Sequence, residues 1–158
     1  MAIGSESDIY SSIGTVLSVS ATAPASGAYD QTGFEALTFT EVGLVGSISS
    51  FGGSTEVSTF NVLKTGNTVK RKGFTDFGTI TIGMARVSDD DGQTLLKSGF
   101  DGSDSGEVFS YKLEHPAGTG LTQYGTCIVT SYTTDPQAIV QAETSLELDN
   151  AVIDVVTP

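Results

Sequence analysis

Tryptophan is absent from this sequence, and cysteine and histidine each occur once, as Cys127 and His115. Each shortage removes a class of chemistry. One thiol cannot close an internal disulfide. A chain of 158 residues needs no such staple, since it buries roughly 70% of its extended surface on folding. The lack of disulfides fits assembly in a reducing cytoplasm. Cys127 sits in TCIVT, which reads as strand and offers neither a cation nor a helix start to activate a thiol; it is expected in the core. A Ser-His-Asp arrangement would have to use His115, which precedes Pro116 at a strand end and is expected in an exposed loop. No GxSxG elbow, Walker A loop or GxGxxG fingerprint occurs. His and Cys are too few for a zinc site, and without tryptophan there is no Trp-lined sugar platform. Asp89-Asp90-Asp91-Gly92 and Asp101 to Gly106 have the look of calcium loops, but the EF-hand spacing fails: position 12 counted from Asp101 is Lys112. Among nineteen acids nothing selects a catalytic pair. The expectation is a protein that is not an enzyme and has no cofactor and no metal. No apolar run approaches the ~18 residues of a membrane-spanning helix. The opening MAIGSESDIYSSIG has no basic or long apolar stretch and Ala at position 2, so neither a secretory signal nor myristoylation is expected.

Positive charge is also scarce. Seven Lys and Arg face nineteen Asp and Glu, for a net charge of −12. Residues 1–63 hold acids only, while Lys64, Lys70, Arg71 and Lys72 supply four of the seven cations within nine residues. An acidic surface repels nucleic acid and anionic membranes rather than adhering to them. The basic cluster is therefore read either as a solvated hairpin or loop, or as a contact that pairs with an acidic patch on an identical neighbour. Head-to-tail contacts of that kind build rings and filaments.

What is present in quantity is period-two alternation, the mark of half-buried strands. Leu17, Val19 and Ala21 share a face, as do Leu37 and Phe39; Ile80, Ile82 and Met84; Phe109, Tyr111 and Leu113; and, most cleanly, alternate residues from Val140 to Leu148. Residues 123–133 carry apolar groups at both parities, which predicts a strand with partners on both faces. Turn chemistry at Gly52-Gly53, Gly66-Asn67, Asp101-Gly102, Pro116 to Gly118 and Asp135-Pro136 separates the runs. One helix is predicted over 89–98, capped by Ser88, with Asp89 to Asp91 in its first turn, Leu95 and Leu96 buried, and Gly99 as its stop. A short helical turn is expected between Asp30 and Ala36. The fold class is mainly β, an antiparallel sandwich or barrel with one flanking helix, in a single domain over 1–158. Residues 1–12 read as a polar N-terminal arm ordered by contact with a neighbour, and 61–76 as an extended basic loop.

The order of these segments resembles the major tail tube proteins of long-tailed, siphovirus-type bacteriophages and phage-like elements. The segments that carry the likeness are SIGTVLSVSATAP, YDQTGFEALTFTEVGLVGSISSFGG, STEVSTFNVLKTGNTVKRKGFTDFGTITIGM, the acidic helix SDDDGQTLLKSG and the closing SLELDNAVIDVV. The resemblance implies a β-sandwich or barrel with a helix, hexameric rings stacked through loops and arms, and other tail proteins at the tube ends. It implies a lumen through which double-stranded DNA passes without specific binding, and a place in the virion tail after assembly in the bacterial cytoplasm. It makes Lys64, Lys70, Arg71 and Lys72 an inter-subunit contact. The competing expectations are a monomeric immunoglobulin-like binding or adhesion module, and a secretion-system tube subunit of related fold.

Overall fold

Alternating apolar residues need a second surface to bury against, and in this chain the sheet supplies that surface by curling on itself. The computed structural model describes residues 3–102 and 108–157. Strands β1 (Val16–Ser20), β2 (Thr40–Glu41), β3 (Val45–Ile48), β6 (Thr79–Ala85), β7 (Phe109–Glu114), β8 (Leu121–Pro136) and β9 (Val140–Leu148) form one antiparallel sheet in the order β2-β1-β7-β8-β9-β6-β3, and β10 (Ile153–Val156) pairs with β8. Between β3 and β6 the chain leaves this sheet for a separate two-stranded one, β4 (Ser54–Val62) and β5 (Asn67–Asp76). The helices are α1 (Gln31–Glu35) and α2 (Asp91–Asp101). Among the described residues no helix is long and apolar enough to cross a membrane.

Strands β2 and β3 stand at opposite ends of the sheet path, yet only residues 42–44 separate them. So short a link spans at most about 14 Å, and the two ends of the sheet are forced together into an incomplete barrel. The crossing is bonded to both ends: Val42 N–H donates to Leu17 O at 2.8 Å, and Ala85 N–H donates to Leu44 O at 3.1 Å. Leu44 takes φ 57° there, a left-handed conformation unusual for a side chain with a Cβ. Helix α2 seals the crossing. Asp90 caps it, its Oδ1 accepting from Gln93 N–H at 2.9 Å and from Gly43 N–H at 3.2 Å. Gln93 is fully buried, and its side-chain amide is saturated. Val87 N–H donates to its Oε1 at 2.9 Å, and its Nε2 donates to Ala85 O at 2.8 Å and Gly43 O at 3.0 Å. Gly92 lies so close to the crossing that a Cβ would come within 2.2 Å of Glu41 O.

The core fills the concave face: Leu17 and Val19, Ile80, Ile82 and Met84, Phe109, Tyr111 and Leu113, Leu146 and Leu148, with Leu96 of α2. These are the alternating residues expected inside, at 0–7% exposure. The outer face of β1, β7 and the first half of β8 is covered as well. There Tyr29 and Phe34 pack edge to face at 5.1 Å, and Phe34 stacks on Tyr124 at 5.4 Å. That second cover explains why Ser18, Ser110 and Thr126 are buried on the face expected to be polar. The dual parity of 123–133 has two causes. Tyr124 faces the α1 side, and a bulge between Val129 and Ser131 then turns Tyr132 back to the core side.

Several expectations are corrected. Helix α2 starts after Asp90, two residues later than the Ser88 cap would place it. It runs through Gly99 to Asp101, because the glycine's bare backbone lets α2 lie against Phe109. The strand expected around Leu37 and Phe39 is reduced to Thr40–Glu41, since residues 36–39 leave α1 and place Phe39 against Tyr124. Ala21 lies beyond β1 and is exposed. The short turn expected at 30–36 is α1, capped by Asp30, whose Oδ1 accepts from Gly33 N–H at 2.8 Å. The segment 61–76 is no extended loop but most of a β-hairpin.

Candidate assembly interface

Residues 54–76 are rich in Thr, Val and Phe, types that fit a pleated ribbon. They pair in register from Val57↔Lys72 to Val62↔Asn67. The connection is made by 63–66, where Gly66 takes φ 72° and donates its N–H to Val62 O at 2.9 Å. Near the base the register shifts between Thr55 and Val57. Phe51 and Phe77, partly buried against the main core, anchor the two chains where they enter the hairpin. Beyond that base the hairpin packs on nothing else: Phe60, Leu63 and Phe74 are 72%, 98% and 86% exposed. A two-stranded hairpin is marginal by itself in water.

The four cations expected at a contact are all here and all exposed. Lys64 stands in the connecting turn. Side chains alternate across a strand, so Lys70 and Lys72 share one face with Val57, while Arg71 lies on the other with Phe60 and Val69. Among the described residues none of the four forms an ion pair; the Arg71 guanidinium donates to Lys70 O at 2.8 Å. Reading the sequence for charge located this segment but missed its phenylalanines. The signal was available: Val57, Phe60 and Val62 break parity, so no single apolar face exists for the ribbon to bury.

The remaining cations belong to the body. Lys97 pairs with Asp101, and Lys112 with Glu114 at 2.6 Å. The Glu114 carboxylate raises the Lys112 ammonium above its ordinary pKa, against a smaller opposing effect of burial. Arg86 lies over the Tyr132 ring at 5.0 Å. A second exposed element is the N-terminal arm. Residues 3–14 are exposed throughout, around a short 3₁₀ turn at Glu6–Asp8, and they present Ile3, Ile9 and Ile13 to solvent.

The groups weighed for catalysis are engaged otherwise. His115 is half-buried, its Nε2 2.8 Å from Gln123 Oε1, while Gln123 Nε2 donates to Asp154 at 2.9 Å. Cys127 is buried on β8, and burial pushes its thiol up to about 12. Tyr111, its hydroxyl unpartnered among the described residues, is raised well above the ordinary phenol range, mainly by burial. Among the described residues no three His, Cys, Asp or Glu side chains converge as metal ligands. Asp89 to Asp91 flank and cap α2; Ser103 to Gly106, the rest of the second acidic run after Asp101 and Gly102, lie outside the described residues.

No protein-family model and no curated protein matches the sequence. Solved structures do match its fold. A chain from the tail of an empty GTA particle, determined with C6 symmetry, superposes with a TM-score of 0.56 at 14% identity, over 99% of this chain and 100% of that one. A chain of the anti-feeding prophage baseplate, 6-fold symmetrised, gives 0.61 at 6% identity over 90% and 92%. A chain of the sheath/tube terminator of the PVC extracellular contractile injection system gives 0.60 at 18% identity over 89% and 91%. The curled sheet, its sealing helix and its projecting hairpin are thus a tail-tube-like fold, shared with chains of phage-like tails and contractile injection particles.

Proposed function

We propose that this chain is a non-catalytic tube subunit, whose copies join into six-membered rings that stack as a hollow tube with other tail proteins at its ends. The observation that carries the reading is the hairpin. It is ordered as two long strands, uncovered on both faces, and it holds four of the seven cations of a chain with net charge −12. A surface of that kind gains by meeting an acidic copy of itself, and Lys64, Lys70, Arg71 and Lys72 are its inter-subunit contact. The six-fold symmetry of the GTA and anti-feeding prophage particles supports the ring number.

The tube conducts double-stranded DNA at ejection from a virion tail built in the bacterial cytoplasm. An acidic wall holds no phosphate, so a polyanion slides without specific binding. Strands β6 and β9 offer such a wall: their outward residues include Thr79, Thr81, Glu143 and Glu147, with no Lys or Arg between. The likeness to the PVC and anti-feeding prophage chains favours a second reading, a tube of an injection particle that delivers another cargo. Negative-stain microscopy of concentrated protein tests the shared claim. Six-fold rings or hollow tubes are expected; uniform monomers at every concentration overturn it and favour a monomeric binding module. Particles from the producing cell separate the two cargoes, since only the first reading expects DNA in the attached head.

A further inference from the structure

We infer that the cleft between α2 and the end of β6 binds a small tetrahedral oxyanion of the phosphate class. The site belongs to the single subunit and is independent of self-assembly.

The cleft has a volume of about 310 Å³, and Arg86, Ser88, Gln93, Lys97, Asp101 and Tyr132 are among its walls. That is the small end of ligand sites, so the occupant is small. Arg86 continues the inward parity of Ile82 and Met84, which brings it to the α2 side of the sheet, away from Glu143 and Glu147. Its backbone N–H donates to Val140 O at 2.9 Å. Its guanidinium lies over the Tyr132 ring at 5.0 Å, and Tyr132 is itself nine-tenths buried. The group is thus held in place, and half-buried, yet among the described residues it has neither a carboxylate partner nor a side-chain hydrogen bond. In a chain with nineteen acids that is a conspicuous vacancy, because a guanidinium carries five donors in a planar fork suited to a carboxylate or a phosphate. The Tyr132 hydroxyl is also without a partner among the described residues.

The neighbouring groups select the class of anion. Gln93 is saturated and offers a ligand nothing. The donors that remain are the Arg86 fork, the Ser88 hydroxyl and the Lys97 ammonium, which Asp101 now holds. Two cations and one acid leave the cleft one net positive charge. A planar carboxylate is satisfied by the fork alone. A tetrahedral phosphate gives the fork two oxygens and keeps others for Ser88 and Lys97. The acidic chain as a whole opposes any anion, but at physiological salt that repulsion is screened beyond about 8 Å, so the cleft's own groups set the affinity.

The test titrates inorganic phosphate against the full chain, kept below its assembly concentration, with chloride holding the ionic strength constant. The phosphorus NMR linewidth of the ion is followed, and each variant is first shown to melt cooperatively. Saturable broadening is expected. R86Q should weaken binding by at least about tenfold, the fold-change of one lost charge-assisted hydrogen bond. R86K keeps the charge without the fork and should fall between R86Q and the parent. D101N frees Lys97 for the ion and should tighten binding by about two- to fivefold, the fold-change of a partly exposed ion pair. E56Q removes the same charge from the hairpin and should leave binding unchanged. Broadening that never saturates, or that is equal in the parent and R86Q, is a salt effect only and overturns the inference. So does displacement of phosphate by an equal concentration of acetate, since the fork then serves a carboxylate. None of these outcomes bears on the tube reading, which microscopy tests separately.

Discussion

Replacing Gln93 by Ala removes the amide that ties α2 to the crossing of the barrel ends. Three backbone groups lose their partner together: Val87 N–H, Ala85 O and Gly43 O. A buried group left unsatisfied costs about 1–3 kcal/mol. Three such groups, partly relieved by water entering the space of the lost side chain, amount to roughly 3–5 kcal/mol. That is a large share of the ~5–15 kcal/mol by which a domain is stable. At about 2–4 °C per kcal/mol for a chain near this size, the melting midpoint should fall by roughly 10–15 °C. Urea unfolding followed by far-UV circular dichroism checks the magnitude. It must be run at protein concentrations below assembly, because association adds stability of its own. T94A is the matched control: it alters the next residue of α2, on the exposed side, and should change stability by less than about 0.5 kcal/mol. A Q93A loss below about 1 kcal/mol would refute the argument, since the carbonyls would then have to be satisfied without the glutamine.

Gly92→Ala should destabilise by several kcal/mol although Ala is normally about 1 kcal/mol better than Gly inside a helix, because its Cβ would lie 2.2 Å from Glu41 O; a gain in melting temperature would contradict that packing. The buried Cys127 thiol, pushed up to about 12, ionises at about 8.5 once unfolded. Native and unfolded chains are both protonated below that value, so stability should be flat there with respect to this group and fall as pH rises above it; C127A should remove that slope. Labelling of Cys127 by a thiol reagent at pH 8 should follow global unfolding, and labelling at the rate of an exposed thiol would show the core to be open. The triple change K70S/R71S/K72S should leave the monomer's stability within about 0.5 kcal/mol while abolishing or delaying tube growth. Unimpaired growth by microscopy would remove these cations from the contact.

Much of the sheet was legible because its concave face is apolar at strict period two. In β6, β7 and β9 the expected residues are the buried ones, except Val140 at the start of β9, which is exposed. The reading failed where burial came from elsewhere. Ser18, Ser110 and Thr126 look like an outer face, yet all three are buried, and segments distant in sequence take up two of the hydroxyls: Ser110 donates to Thr22 O at 2.7 Å, and Thr126 donates to Asp149. Leu37 and Phe39 alternate like a strand, but neither joins a backbone ladder, and Phe39 lies against the Tyr124 ring instead. Ser88 is a sound cap by type. Asp90 takes the role because its carboxylate also reaches Gly43, a contact across 47 residues. In the candidate interface, charge marked Lys64, Lys70, Arg71 and Lys72 directly, while the exposure of Phe60 and Phe74 had no local signature.

Composition and alternation alone determined that this is a mainly β chain, strongly acidic, with its cations gathered in one segment. Those properties follow from residue type and period two, which any fold of the chain would have to satisfy. Tertiary structure decided the rest: that the sheet closes through residues 42–44, that Gln93 locks the closure, and that 54–76 stands away from the core as a ribbon. Such facts depend on which distant backbone groups meet, and local sequence does not encode those meetings one residue at a time.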